Sequence, residues 1–421
     1  MHFVVIGTSA AGIAALETLR RLGGTRARLT AVTDEPSEPY SRCLLPDLLA
    51  GKKSEYSIRL RPAGFFPKLG VEFLAGFKVV ALHPEEKKVF LEDGRQLSFD
   101  RLLVATGASP VMPEVPGVDT RGVFALRTLQ DAREMASLFP RVSRAMILGG
   151  GLVGLKAALA LKVAGVPHVT VAVASPRLLT RQLDEEAAAM VERELTAAGL
   201  EFIYNAQPRA FVPGPHGTLA GVELADGREL PADLAVVAKG VRPNVQLVRE
   251  AGGLVGAGIE VDRYLRTSLP DVFAAGDCVQ VTDRLTGRKT NSALWTLAAE
   301  QGRYAAANML GLARSYPPPL TRLNSARFGN LDVVAVGKME GEEVLRAFEG
   351  TTGTYRRLVF EGDRLVGFIL AGKVKGAGVY TALVKTGRPA WKWRHLLLEG
   401  RAGRVVLGCL PPQRRVESKI S

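Results

Sequence analysis

Gly7 and Gly149 open two turns, 142 positions apart, whose composition suits phosphate chemistry. The first reads Gly7-Thr8-Ser9-Ala10-Ala11-Gly12. In a turn of this kind the leading glycine permits the bend, a small middle residue lets backbone N–H groups approach a pyrophosphate, and the last glycine lets helix pack on strand. Ser9 takes the middle place and is small enough to serve. The helix that follows turns its positive end toward the phosphates. Twenty-two residues past Gly12, Asp34 closes the next strand with Glu35 beside it, where a carboxylate accepts hydrogen bonds from a ribose diol. The second turn, Gly149-Gly150-Gly151-Leu152-Val153-Gly154, is a complete GxGxxG between a strand and a helix. Its strand partner ends Val173-Ala174-Ser175, with no acid and with Arg177 nearby. Ser175 and Arg177 suit a 2′-phosphate, and Arg177 reads equally well as a solvated surface charge, so NAD against NADP stays open.

The elements that must position these turns are legible as periodic runs. HFVVIG, the glycine turn, IAALETLRRLGG and ARLTAVTD form a strand–turn–helix–strand unit, and RAMILGG, GLVG, LKAALALKVAG and VTVAVAS repeat it. Between them lie short strands such as KVFLED and LLVATGASP, then Pro113, Pro116 and Gly117, which punctuate a crossing between domains. A helix over about 184–198, strands flanking ADGREL, and VVAKGVRPN follow. From about 313 the pattern becomes β-like runs between Gly and charged turns, then a helix and a basic tail, with YPPPL at 316–320 as linker.

Composition narrows the class. A chain of 421 residues, 47% apolar and 23% charged, suits a multidomain globular protein and not a disordered one. Its apolar stretches are too short for a membrane span, and the N-terminus reads as a first strand, not as a signal peptide. Cys43, Cys278 and Cys409 lie far apart and the five histidines are scattered, so no disulfide framework or metal site is expected, and a reducing cytoplasm is the natural compartment. The net charge of +13 suits nucleic acid, a membrane surface or an acidic protein partner. It is spread along the chain without an aromatic-interleaved basic run, which argues against nucleic acid.

Taken in order, GTSAAG, ATG (105–107), GGGLVG, GVRPN (240–244) and VFAAGD (272–277) resemble the two-dinucleotide-binding flavoproteins of the pyridine nucleotide–disulfide oxidoreductase superfamily over about residues 1–312. DEPSEPYSRCLLPDLLAGK (34–52) and NSALWTLAAEQGRYAAANMLG (291–311) are similar to the ferredoxin- and rubredoxin-reductase-like branch, including the flavin part of assimilatory nitrite reductase. The resemblance implies an α/β fold: two Rossmann-like domains, with an NAD(P) domain (113–241) inserted in a split FAD domain (1–112 and 242–312), and a smaller C-terminal α+β interface domain (313–421). It implies FAD, held by Gly7, Ser9, Ala10, Ala11, Gly12, Asp34 and Glu35, with Arg42 near the phosphates or ribose and Ala105, Thr106 and Gly107 bordering the cofactor. Gly276 and Asp277 are expected to face the ribityl chain, and the helix starting at Leu294, Trp295 and Thr296 to direct its N-terminus at the flavin. NADH or NADPH falls to the second turn, with Gly240 beside it.

Two departures bear on catalysis. The branch's Lys after its Arg-Pro-Pro-Leu-Ser segment is replaced within Leu45-Pro46-Asp47, and the nicotinamide-proximal Glu is here Lys156. Cys43-Leu44-Leu45-Pro46 is similar to the single-cysteine context of coenzyme A-disulfide reductases and NADH oxidases. Cys43 is therefore either a redox nucleophile or a small residue beside the cofactor, with Cys278 and Cys409 as packing residues. The expected function is hydride transfer from NAD(P)H to FAD and onward electron transfer to an acidic iron–sulfur or rubredoxin-type protein or partner subunit, in a homodimer or redox complex. The alternatives are a Cys43-dependent disulfide or persulfide reductase or NADH oxidase, and a non-catalytic flavin-bearing subunit.

Overall fold

The computed structural model describes residues 1–403 and 405, so the expectation for Cys409 lies outside the described residues. Three five-stranded sheets organise them. In the first, the strands run Val272–Ala274, Arg101–Val104, His2–Ile6, Arg28–Thr33, Val71–Ala75, all parallel. In the second they run Leu200–Tyr204, His168–Val173, Arg144–Leu148, Leu234–Val237, Val123–Ala125, again parallel. Both central strands are unbroken apolar runs, FVVI and AMIL, as strands covered on both faces must be. The third sheet is antiparallel, in the order Leu323–Phe328, Leu331–Gly337, Arg364–Ala371, Thr354–Glu361, Glu343–Glu349.

Helix Ala10–Gly23 follows the first turn and packs along helix Trp295–Met309. That crossing is close because Gly302 has no side chain: a Cβ there would lie 2.1 Å from the Ala11 carbonyl oxygen. The first and second sheets are joined by a short antiparallel ribbon, Ala108–Pro110 against Val241–Pro243.

By contacts the chain forms two compact units. One comprises Met1–Pro176 and Gly199–Thr321 and holds both parallel sheets; the other comprises Arg177–Ala198 and the chain from Arg322 onward. Helix Glu185–Ala197 thus groups with the third sheet, although its flanking strands belong to the second. An ionic cluster ties the start of this helix to the third sheet. The Asp184 carboxylate accepts from the Tyr355 hydroxyl at 2.5 Å and lies 3.3 Å from Arg357 Nε.

Candidate functional site

Strand His2–Ile6 ends at Gly7, whose φ of +97° and close backbone neighbour require glycine; a Cβ would sit 2.2 Å from the Ala105 carbonyl oxygen. Gly12 is closed off in the same way by the Gly7 carbonyl, 1.8 Å from its Cβ position. The second turn repeats this geometry contact for contact. Gly149, at φ +136°, meets the Ala238 carbonyl at 2.4 Å, and Gly154 meets the Gly149 carbonyl at 2.0 Å. The amides of Gly7 and Gly149 donate to Val32 O (2.7 Å) and Ala172 O (2.9 Å), and those of Ala105 and Ala238 to Ile6 O (2.8 Å) and Leu148 O (2.9 Å). At Gly151 a Cβ would meet nothing within 4 Å, which leaves the middle of that turn open.

The helices that leave these turns differ from those with ordinary structural caps. Helix Ala10–Gly23 has Ser9 at its N-cap with no side-chain cap bond, helix Leu152–Val163 has Gly151 there, and neither carries an acid in its first turn. By contrast, helix Leu129–Leu138 has a full capping box from Thr128 and Asp131, and helix Glu185–Ala197 is capped by Asp184 and led by Glu185 and Glu186. Amides left without a capping side chain at the positive end of a helix favour an anion.

The first turn opens onto a cleft of about 570 Å³. Its walls bring together most residues singled out in the sequence. Gly7, Ser9, Ala10 and Ala11 form one side, Asp34, Glu35, Arg42 and Cys43 the next, and Ala105, Thr106, Gly107, Gly276 and Asp277 the floor. Trp295 also lines it, and the Trp295 side chain packs against the core of the first sheet as well. Leu294, the N-cap of that helix, and the exposed Thr296 do not line the cleft. Gly12 lies beneath the turn.

Of the two acids, Asp34 is exposed, whereas Glu35 is held by the Tyr40 hydroxyl and by the Arg42 guanidinium, which both donate to its carboxylate. The Tyr40 hydroxyl in turn accepts from the Leu129 amide at 2.8 Å. Arg42 also donates to the Arg127 carbonyl at 2.7 Å, and Arg127 pairs with Asp277 at 3.0 Å. Arg127 escaped the sequence reading; its one local signal is its place directly before the Thr128 capping box. Asn244, at the end of GVRPN, locks the ATG turn reciprocally. Its carbonyl accepts from the Thr106 hydroxyl and its amide side chain donates to the Thr106 carbonyl, both at 2.9 Å. Gln301, buried in the long helix, accepts from the Gly276 amide at 2.7 Å and fixes the loop that carries Asp277.

Cys43 is exposed on the cleft wall, yet enough protein surrounds its sulfur that desolvation raises the thiol pKa. The Asp277 carboxylate raises it further, and Arg127 only partly opposes the two. Cys278 is fully buried, its thiol facing the carbonyls of Ala275 (3.3 Å) and Val104 (3.6 Å), and burial pushes its pKa up to about 11. Around the second turn, Gly240 is exposed at φ +107° with open space where a Cβ would stand. Val153 is exposed, whereas Leu152, the first residue of its helix, and Ser175, two residues past strand His168–Val173, are half-buried. Arg177 donates to the Leu183 carbonyl at 2.5 Å. Among the described residues no helix is long and apolar enough to cross a membrane.

The comparisons accord with this geometry. The chain is 30% identical over 381 residues to the assimilatory nitrate reductase electron transfer subunit of Bacillus subtilis, covering 89% of this chain and 48% of that protein. It is 32% identical over 388 residues to the NADH-dependent phenylglyoxylate dehydrogenase subunit epsilon of Aromatoleum evansii, covering 91% of each. Against two Bacillus subtilis relatives it spans about half their length, 48% and 45%. Among solved structures, the covalent putidaredoxin reductase–putidaredoxin complex matches with a TM-score of 0.85 at 26% identity, over 92% of this chain and 94% of that one. The NAD-dependent persulfide reductase of A. fulgidus matches with a TM-score of 0.84 at 27% identity, over 92% and 77%. FAD binding is typical of the family whose profile matches residues 1–302. On this profile, the two congruent turns and the doubled parallel sheet, the chain belongs to the pyridine nucleotide-disulphide oxidoreductase family.

Proposed function

We propose that this protein is an FAD-dependent oxidoreductase that takes hydride from NADH or NADPH and passes electrons to an iron–sulfur or rubredoxin-type protein or partner subunit. The observation that carries the reading is the pair of congruent, uncapped glycine turns, only the first of which is followed by an acidic pair. One molecule thereby offers two unlike dinucleotide seats. Relatives named rubredoxin-NAD(+) reductase and nitrate reductase electron transfer subunit support the direction of electron flow.

Bound FAD supplies the ability to accept a hydride pair and release electrons singly. The chain's residues hold and orient. Ser9 and the open amides of helix Ala10–Gly23 bind the diphosphate, Glu35 accepts from the adenosine ribose, and Asp277 accepts from the ribityl chain. Arg42 and Arg127 balance the negative charge along the same wall. The uncapped start of helix Trp295–Met309 brings a positive end to the flavin. In this reading residues 1–112 and 242–312 form the FAD domain, 113–241 the NAD(P) domain and 313–421 the interface domain. The protein works in the cytoplasm, as a homodimer or within a redox complex.

The competing reading gives Cys43 a thiol role, and the similarity to proteins named NAD-dependent persulfide reductase (A. fulgidus) and NADH oxidase (Methanocaldococcus jannaschii) is what raises it. Its raised pKa speaks against it, because the thiolate is the nucleophile. Cys43→Ser separates the two. We expect reduction of a rubredoxin or [2Fe–2S] ferredoxin to stay within about two-fold of wild type, as for a residue outside the transfer path. Turnover of coenzyme A disulfide by the wild type that is abolished in Cys43→Ser would establish the thiol mechanism instead.

A further inference from the structure

The two dinucleotide units can be aligned without reference to any other protein, through their own sheet registers. In the first, Ile6 pairs with Val32; in the second, Leu148 pairs with Ala172. The strand-end hydrogen bonds agree: Phe77 N donates to Thr33 O at 2.9 Å, and Ala206 N to Val173 O at 3.0 Å. Thr33 therefore corresponds to Val173, Asp34 to Ala174, and Glu35 to Ser175. Where the first unit presents two carboxylates at the mouth of its turn, the second presents a methyl and a hydroxyl.

A carboxylate at this place accepts the two hydroxyls of an unmodified adenosine ribose and repels a phosphate on the 2′ oxygen. A serine hydroxyl donates to such a phosphate, and a methyl leaves room for it. We infer that the second site selects the 2′-phosphorylated nucleotide, NADPH over NADH, and that Ala174 and Ser175 are the positions that set this preference. This inference rests on the pyridine-nucleotide reading above and goes beyond it.

The test is equilibrium binding to the FAD-loaded protein by calorimetry, with 2′,5′-ADP and 5′-ADP as probes, so that no turnover is needed. The expected result is 2′,5′-ADP bound at least about ten-fold more tightly, in keeping with the discrimination a site gains from one polar group. Ser175→Glu and, separately, Ala174→Asp should each lower that ratio and weaken NADPH relative to NADH in flavin reduction. Tighter or equal binding of 5′-ADP by the wild type, or a ratio unmoved by both substitutions, overturns the inference alone. Binding of neither probe, with no flavin reduction by either dinucleotide, overturns it together with the pyridine-nucleotide reading.

Discussion

Cys43 and Glu35 share one cleft wall and are set by opposite environments. Glu35 is gripped by Arg42 and Tyr40, whereas the Cys43 thiol faces burial and the Asp277 carboxylate. Because both of those influences raise its pKa, the thiolate fraction at neutral pH is smaller than for a free cysteine. Alkylation of Cys43 by iodoacetamide in the Cys409→Ser background should therefore keep accelerating above about pH 8.5, the ordinary thiol value. A plateau below pH 8 would mean an activated thiolate. Asp277 gives a second test at this scale. Replacing it by Ala leaves Arg127 without its carboxylate and removes the acceptor proposed for the ribityl chain, so FAD should be lost on gel filtration where the wild type retains it. Asp277 was singled out through the resemblance, because VFAAGD is one of the contiguous motifs that carry it. The sequence reading missed Arg127, 150 residues away, because that residue enters the site only where the chain leaving strand Val123–Ala125 reaches the cleft wall and meets Asp277. The choice of Glu35 over Asp34 as the inward acid was equally beyond reach, since it depends on Tyr40 and Arg42 closing over one carboxylate.

At the scale of elements, the glycine turns are the features most constrained by sterics. Gly154→Ala drives a methyl to 2.0 Å from the Gly149 carbonyl, and Gly12→Ala does the same at 1.8 Å from Gly7. The two substitutions should separate the sites. Gly154→Ala protein should retain FAD and be reduced by dithionite while its reduction by NAD(P)H falls at least about 100-fold, whereas Gly12→Ala protein should purify without flavin. Equal defects in both would show that the turns do not serve different ligands. A different element, the segment leading to Thr321, is anchored by Asp283. Desolvation alone would raise this carboxyl's pKa, but hydrogen bonds from Thr321 and Thr286 outweigh it and hold the carboxyl below the usual range. A depressed folded pKa stabilises above the unfolded value near 3.9 and ceases to do so as pH falls through the folded one. Asp283→Ala should cost about 2 kcal/mol at pH 7 by orphaning these donors, a gap in denaturation midpoint that narrows below about pH 4. The strands and both turns were legible because period and glycine spacing are local. That helix Glu185–Ala197 would group with the third sheet was not, because Asp184 reads as a plain N-cap until Tyr355 and Arg357 meet it.

Over the whole molecule, a net charge of +13 makes encounter with an acidic carrier sensitive to screening. The second-order rate of electron transfer to an acidic rubredoxin should fall steadily as salt is raised from low to physiological strength, and a flat profile would remove the electrostatic argument for such a partner. The doubled strand–turn–helix unit was visible in the chain as an internal repeat, and the resemblance added the two Rossmann-like domains it implies. The missing acid after the second strand was also legible; what the registers add is the position-by-position match that equates Asp34 and Glu35 with Ala174 and Ser175. In the proposed function one chain seats a flavin and a reducing pyridine nucleotide for flavin-only redox. It is tested most directly by anaerobic titration of the FAD-loaded protein with NADH and, separately, NADPH while the flavin spectrum is recorded. The flavin should bleach fully after one two-electron equivalent, reached with NADPH at the lower concentration. Uptake of a second electron pair, or no bleaching with either nucleotide, would contradict it.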